Sequence, residues 1–599
     1  MSELGLWIGP IAPQEFLQSF IPQSDLLPKE ISNIVDFSSF ASLEEEGEMY
    51  GAMINAVMDH GLMPKITELA NSLPERNEQD YQRDVSWLFD APMPENVRRY
   101  IMALQENIVV CKPQRAYDPF KEVEVQPDNN SDYFSLYQEI RYPESRIIPD
   151  TEKAFGTQIH LLNHASSLFA HQHRLFCFNI LICGDTARFI RWDRGGAVVS
   201  SSFDYAKHPL ILAEFFWRYD GLTAAQRGYD PTARPAEESE ALRLREAVKK
   251  HENGSKRRIP DMREKTLKKS FTPFVITMNG QTPSGKRKIG KYVVQAPMHT
   301  PFTPVGRSTQ VYYALDLRTD ELVCLKDYWR PAEATRPPES VVYARLRKHR
   351  IPHLPTMLLS GDVGPAQLTE KTKFQQTYTA IWVRAYIRRH PACIAECGKK
   401  LVEKDVEPDK DPLETPSVLY LSTRPSTFSH YRIVQKLLYS LSTAESSKVL
   451  VRAIRNSIIC LTTAYEKANV LHRDVSSGNV MLDEDGQGVL NDWDHALMFE
   501  RTDEAEVPLS GRTGTWYFLS VDLARHPYKN HDILDDLESC FWVLLWQAIH
   551  HLKSSADYTD LEIFKEQNNF GKTVAMLKGG SWKLDHIIDR SALHSLEFK

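Results

Sequence analysis

The chain has 599 residues, 42% hydrophobic and 25% charged, with a formal net charge of −7 at pH 7. That length accommodates two or three domains around a sizeable core, and the composition is ordinary for a soluble globular protein. Nucleic-acid binding wants a concentrated basic surface, which this mild acidity does not supply, so no nucleic-acid partner is expected. No membrane association is expected either: the apolar run Ser539 to Ile549 is too short for a bilayer and is broken by Gln547. The opening MSELGLW carries an acid where a secretory signal needs basic residues. The eight cysteines are scattered, as in a reduced compartment. A cytoplasmic protein is the expectation. Cys393 and Cys397, with His390 nearby, lack the second ligand pair that a zinc site needs.

In chain order, residues 1–235 are expected to form a mixed α/β N-terminal domain. Tyr100 to Cys111 and His160 to His171 have helical apolar spacing, whereas Leu175 to Cys183, Ala187 to Trp192 and Ala197 to Phe203 predict consecutive strands. Gly184-Asp185 and Arg194-Gly195-Gly196 supply turns, so the strands should make an antiparallel meander. Glu122 and Glu124 suggest a nuclease metal site, but Gln126 stands where the lysine should be, and a packing or substrate-recruiting domain is preferred.

Residues 236–288 alternate basic clusters such as Lys256-Arg257-Arg258 and Lys286-Arg287-Lys288 with acids, Gly and Pro. Such a stretch buries too little apolar surface to offset its ordering entropy, and a solvated linker is expected; the sharper alternative is a nuclear-localisation segment. Strand-like runs follow over Tyr292 to Leu317 and Leu322 to Lys326, and a helix should open at Glu339. Residues 361–428 predict a polar surface excursion. Tyr431 to Leu438 predicts another strand, and Val451, Ile454, Ile458, Leu461 and Tyr465 predict a buried helix over Ser447 to Val470.

That helix delivers the chain to His472-Arg473-Asp474-Val475-Ser476-Ser477-Gly478-Asn479, and Asp492-Trp493-Asp494 follows. In the pattern H-R-D-x-x-x-x-N the aspartate accepts the proton of a substrate hydroxyl and the asparagine holds a metal, which assigns these roles to Asp474 and Asn479. Asp492 takes the place of the D-F-G aspartate, a second metal ligand. Lys326 ends its strand as the phosphate-pairing lysine of V-A-I-K does, with Glu339 its candidate ion-pair partner. The phosphate loop falls at Val305-Gly306-Arg307-Ser308-Thr309. There Gly306 permits a tight turn, and Ser308 or Thr309 adds hydroxyl donors. Asp536, opening the helix through Trp542 and Trp546, is expected to bond the catalytic-loop backbone, and the nucleotide base should pair with backbone near Lys436 to Tyr439.

The wording HRDVSSGNVML, NDWDHA, RTGTWYFLSVDL and DDLESCFWVLLW, with GLWIGPIAPQEFL and RFIRWDRGGAVVSSSFDY in the N-terminal half, resembles the fungal-type protein kinases, a divergent branch of the kinase superfamily. The resemblance implies an α+β, two-lobed protein-kinase-like fold behind the N-terminal domain, with a small lobe over 289–442 and a large lobe over 443–599. It also implies ATP and Mg2+ as cofactors and transfer to Ser or Thr hydroxyls of a protein substrate. Three departures bear on activity. Ser476 replaces the usual lysine, Asp494 the D-F-G glycine, and one glycine serves the phosphate loop. A pseudokinase scaffold and a small-molecule phosphotransferase of the aminoglycoside- or choline-kinase type are the alternatives. Arg473 favours the protein kinase, since this arginine commonly pairs with a phosphorylated loop, for which Thr502, Ser510 and Thr513 are candidates.

Overall fold

The computed structural model describes residues 7–65, 108–125, 151–364, 374–389, 425–500 and 512–588, with short breaks inside these ranges, together with the short strands 394–395, 401–403 and 419–421. Alternation of side chains dictates the N-terminal half. Strands β1 (Trp7–Ile11), β2 (Val109–Lys112), β3 (Phe176–Cys183), β4 (Thr186–Asp193) and β5 (Gly196–Ser200) belong to one eight-stranded sheet in which β4 lies between β3 and β5. Phe178, Ile180 and Ile182 of β3 face one core, shared with helices α1 (Pro13–Phe20) and α2 (Glu46–Asp59). Cys177, Leu181 and Cys183, one residue out of phase, face a second core under helix α3 (Glu152–His171). A strand buried on both faces needs apolar residues at nearly every position, and β4 is buried throughout. The expected meander is present; Val109–Lys112, expected as the end of a helix, is instead a strand paired parallel to β3.

A second, seven-stranded sheet follows. Its members are β6 (Ala233–Pro235), β7 (Phe274–Gln281), β8 (Arg287–Val294), β9 (Gln310–Asp316), β10 (Glu321–Pro331), β11 (Met357–Asp362) and β12 (Phe428–Lys436). The pairing runs β8-β9-β10-β12-β11-β7, and β7 also pairs with β8 along its length, so the sheet closes on itself. Phe274, Ile276, Tyr292, Val294, Tyr312, Ala314, Val323, Leu325 and Val434 fill its interior. The opposite parity, Val275, Val293, Leu315, Tyr328, Tyr431 and Ile433, packs outward against helices α4 (Glu238–Gly254) and α5 (Glu339–Lys348).

Two expectations about organisation need correction. The segment 236–288 is not a solvated linker: it forms α4, capped reciprocally by Glu237 and Glu240, and strand β7. The charges of α4 lie outward or at its edges while Ala241, Leu244 and Val248, spaced for one helix face, are buried. The sheet therefore begins at Ala233 rather than near 289. The segment 361–428 is likewise more than a surface excursion. It carries helix α6 (Thr379–Arg389), whose Trp382, Val383 and Tyr386 enter the core of the N-terminal sheet, and Leu419–Leu421 pairs with β1. Three apolar residues on one helical face must be covered, and that sheet covers them. Cys393, Cys397, Glu122 and the 404–418 stretch lie outside the described residues.

The C-terminal part rests on helix α7 (Ser447–Thr463) and helix α8 (Ile533–His551), which pack together. Between them a hairpin of β13 (Val480–Leu482) and β14 (Gly488–Leu490) carries the motif residues. A Cβ on Gly488 would stand 2.4 Å from the Ala453 Cα, so the close approach of this hairpin to α7 requires glycine. Among the described residues no helix is long and apolar enough to cross a membrane.

Candidate active site

The catalytic loop is held from behind. Asp536, in the first turn of α8 and fully buried, accepts from the backbone N–H of His472 and of Arg473, each at 2.9 Å, and from the His531 ring at 2.9 Å. Burial alone would raise the Asp536 pKa, but the neighbouring His531 and the bonds it accepts hold it below the usual carboxylate range. Arg473 takes φ of 72° and Asp492 φ of 62°, left-handed conformations that cost an L-residue energy and persist only under such constraint. His472 donates to the Asn491 carbonyl at 2.9 Å and stands edge-on to Trp493, which fills the place of the usual phenylalanine.

Asp474 is oriented by a residue that sequence reasoning missed. The backbone N–H and the hydroxyl of Thr515 both donate to its Oδ1 at 2.8 Å, while the Asn479 amide nitrogen reaches its carbonyl at 2.7 Å. Thr515 lies inside the quoted R-T-G-T-W segment, and a hydroxyl there was the available signal. Asn479 is brought beside Asp492 by the hairpin: its carbonyl accepts from Asn491 at 2.8 Å, one residue before Asp492. With the Asn479 amide nitrogen turned to Asp474, its amide oxygen is the atom left to offer a cation. A carboxylate and an amide oxygen are the hard donors that magnesium takes, so the pair fits that ion.

Lys326 and Glu339 converge on the same place. The ammonium of Lys326 lies 3.2 Å from Glu339, 2.6 Å from Asp492 and 2.9 Å from Asp494. Glu339, at the start of α5, also accepts from the Trp493 N–H at 3.1 Å and from the Tyr328 hydroxyl at 3.3 Å, tying the helix to the D-W-D segment. Burial would raise the pKa of Asp492; Lys326 and Arg307 override it and hold the carboxyl at about 2. Cys324, two residues before Lys326, has its thiol pushed up to about 12 by burial and is inert.

The phosphate loop departs from expectation. The Gly306 N–H donates to the Arg194 carbonyl at 2.8 Å, and the Ser308 hydroxyl receives the Arg194 guanidinium at 2.9 Å, so both face the N-terminal half rather than the acids. Thr309 is half-buried beside them. The loop residue that does reach the acids is Arg307, paired with Asp494 and hydrogen-bonded to the His495 ring. Burial and the Arg307 charge bring the His495 pKa down to about 4. The extra acid of D-W-D was the signal for a second cation. Thr502 and Ser510 lie outside the described residues, and the Thr513 hydroxyl is buried, so that segment must open before Thr513 meets another enzyme.

Asp474 held by Thr515, the Asn479–Asp492 hairpin and a lysine among three carboxylates are arranged as in a kinase-like phosphotransferase. A family model described as fungal protein kinase matches residues 130–548. The match covers well over half of the sequence, and the chain belongs to that family. No curated protein matches it. One solved structure to which it is similar is the ROP18 kinase domain in complex with AMP-PNP and sucrose, at 12% identity over 52% of this chain and 72% of that chain, with a TM-score of 0.26. A likeness at that score is too loose to place the fold.

Proposed function

We propose that this protein transfers the γ-phosphate of ATP, with Mg2+, to Ser or Thr hydroxyls of a protein substrate. The observation that carries the reading is the meeting of Lys326 with Glu339 and Asp492, beside an Asp474 already oriented by Thr515. Asp474 accepts the proton of the attacking hydroxyl, and Thr515 keeps the acceptor oxygen in place. Lys326 leaves its acids to pair with the nucleotide phosphates, while Glu339 retains its hold on the strand and on the D-W-D backbone. Asn479 and Asp492 hold magnesium, which when bound neutralises phosphate charge. Arg473 answers to phosphorylation of the loop between Asp492 and Thr515 through a bidentate guanidinium–phosphate contact.

The test is the purified full chain with labelled ATP, with and without magnesium, in the presence of generic protein substrates. Label should appear on phosphoserine or phosphothreonine, only with the metal. Asp474→Asn should lower turnover about 10²- to 10⁴-fold, the usual contribution of a general base, while nucleotide binding persists. Label confined to added aminoglycosides or choline would replace the protein substrate with a small molecule, and nucleotide binding without any transfer would make the chain a scaffold.

A further inference from the structure

The loop over Thr303 to Thr309 is bound to the N-terminal sheet unit by three of its polar groups. The Arg194 guanidinium donates to the Pro304 carbonyl at 3.0 Å and to the Ser308 hydroxyl at 2.9 Å, its carbonyl receives the Gly306 N–H, and its charge lies 3.8 Å above the Phe169 ring. Val305 is buried in the same core as Phe169 and Leu161. Two donors that a phosphate loop could offer, the Gly306 N–H and the Ser308 hydroxyl, are therefore engaged elsewhere. Arg307 alone goes the other way. Its backbone carbonyl is pinned by the Trp329 N–H at 2.8 Å, and its side chain, 27% exposed, pairs with the same Asp494 carboxylate oxygen that receives Lys326.

We infer that Arg307 is a second phosphate-binding cation of this site beside Lys326, and that Arg194 of the N-terminal unit is the residue that positions it. The inference rests on the ATP-dependent reading above. A triphosphate site lacking the catalytic-loop lysine, replaced here by Ser476, is short of one positive charge. Arg307 restores it, and a guanidinium offers a planar fork suited to phosphate oxygens. Three carboxylates, Glu339, Asp492 and Asp494, meet two cations, Lys326 and Arg307. One oxygen of Asp494 is buried with no hydrogen bond, so this acid is an incomplete partner for Arg307 and a seat that it can leave.

The experiment measures affinity of the full chain for fluorescent ATP, ADP and AMP analogues in magnesium. Arg307→Gln should weaken ATP about ten- to a hundredfold, the equivalent of one charge-assisted hydrogen bond, weaken ADP less and leave AMP unchanged. Arg307→Lys should recover part of the loss and serves in its place should the glutamine variant not fold. Asp494→Asn, which removes the competing carboxylate, should tighten ATP. Arg194→Met should reproduce the ATP-selective loss in milder form. Equal effects of Arg307→Gln on all three nucleotides, or none, would make the Arg307–Asp494 pair purely structural and overturn the inference while the ATP reading stands. Failure of the wild-type chain to bind any nucleotide would overturn both.

Discussion

At the scale of single residues, Lys326 and Glu339 illustrate how unequal two partners of one ion pair are. Lys326→Met keeps the apolar stem and deletes what is, among the described residues, the only ammonium near Glu339, Asp492 and Asp494, leaving Arg307 to face three acids. Turnover should fall about 10²- to 10³-fold, as when one preorganised charge donor is lost. Glu339→Gln keeps an oxygen for the Trp493 N–H and loses only the charge, so about a tenfold decrease is expected. Steady-state kinetics on both variants checks the order, and a glutamine variant more damaged than the methionine one would refute it. The meeting of Lys326 with Glu339 and the hold of Asp536 on the His472 and Arg473 backbone were legible, because the spacing of these residues follows a recognised pattern. Gly306 and Ser308 were misassigned: nothing in neighbouring residues tells which side of the loop meets Arg194. Arg307 stood in the same five residues and was passed over.

At the scale of elements, helix α4 shows why composition misleads. Nearly half of its residues are charged, and the averages of the segment resemble those of a linker, yet Ala241, Leu244 and Val248 define a narrow stripe that docks on the closed sheet. Leu244 is completely buried. Leu244→Ala should then destabilise the protein by about 2–5 kcal/mol, the range for a buried leucine truncation, which denaturant unfolding reads directly. An unchanged midpoint is what a solvated linker would give. Helix α6 teaches the same point: Trp382, Val383 and Tyr386 were visible, but not the distant sheet that receives them. The helix over Ser447 to Thr463, apolar at regular spacing and adjacent to the motif it presents, was legible from sequence for the opposite reason.

At the scale of the whole molecule, Arg432 of β12 is wholly buried, 2.6 Å from Asp230 and 2.9 Å from Asp327, and it also reaches Thr232 at 2.7 Å. Asp230 follows the N-terminal sheet unit in the chain, and its backbone N–H bonds the His173 carbonyl, so this cluster ties that unit to the closed sheet. Burial would raise both carboxyl pKa values; Arg432 and His430 hold them below the ordinary range instead. Groups depressed in this way contribute stability above their unfolded pKa of about 3.9 and lose it as pH falls through the folded value. Arg432→Met reverses the sign. Without Arg432 the burial of Asp230 and Asp327 is offset only by His430 and neutral hydrogen bonds, so their pKa values rise and their cost grows as pH rises above about 4. The variant should lose about 3–5 kcal/mol at pH 7 and distinctly less at pH 4.5. Unfolding midpoints at the two values test this, and a loss independent of pH would mean that packing, not charge, carries the effect.

The placement of Asp474, Asn479 and Asp492 was determined by the sequence alone, because they sit on one loop and one hairpin whose geometry follows from local turns and strand pairing. Which cation accompanies them was decided only by tertiary structure. Arg194 and Ser308 are 114 positions apart, and it is their contact, with Val305 drawn into the N-terminal core, that turns the loop so that Arg307 faces Asp494. Local patterns record what a segment can become. The direction in which a loop faces depends on a partner that no local pattern contains.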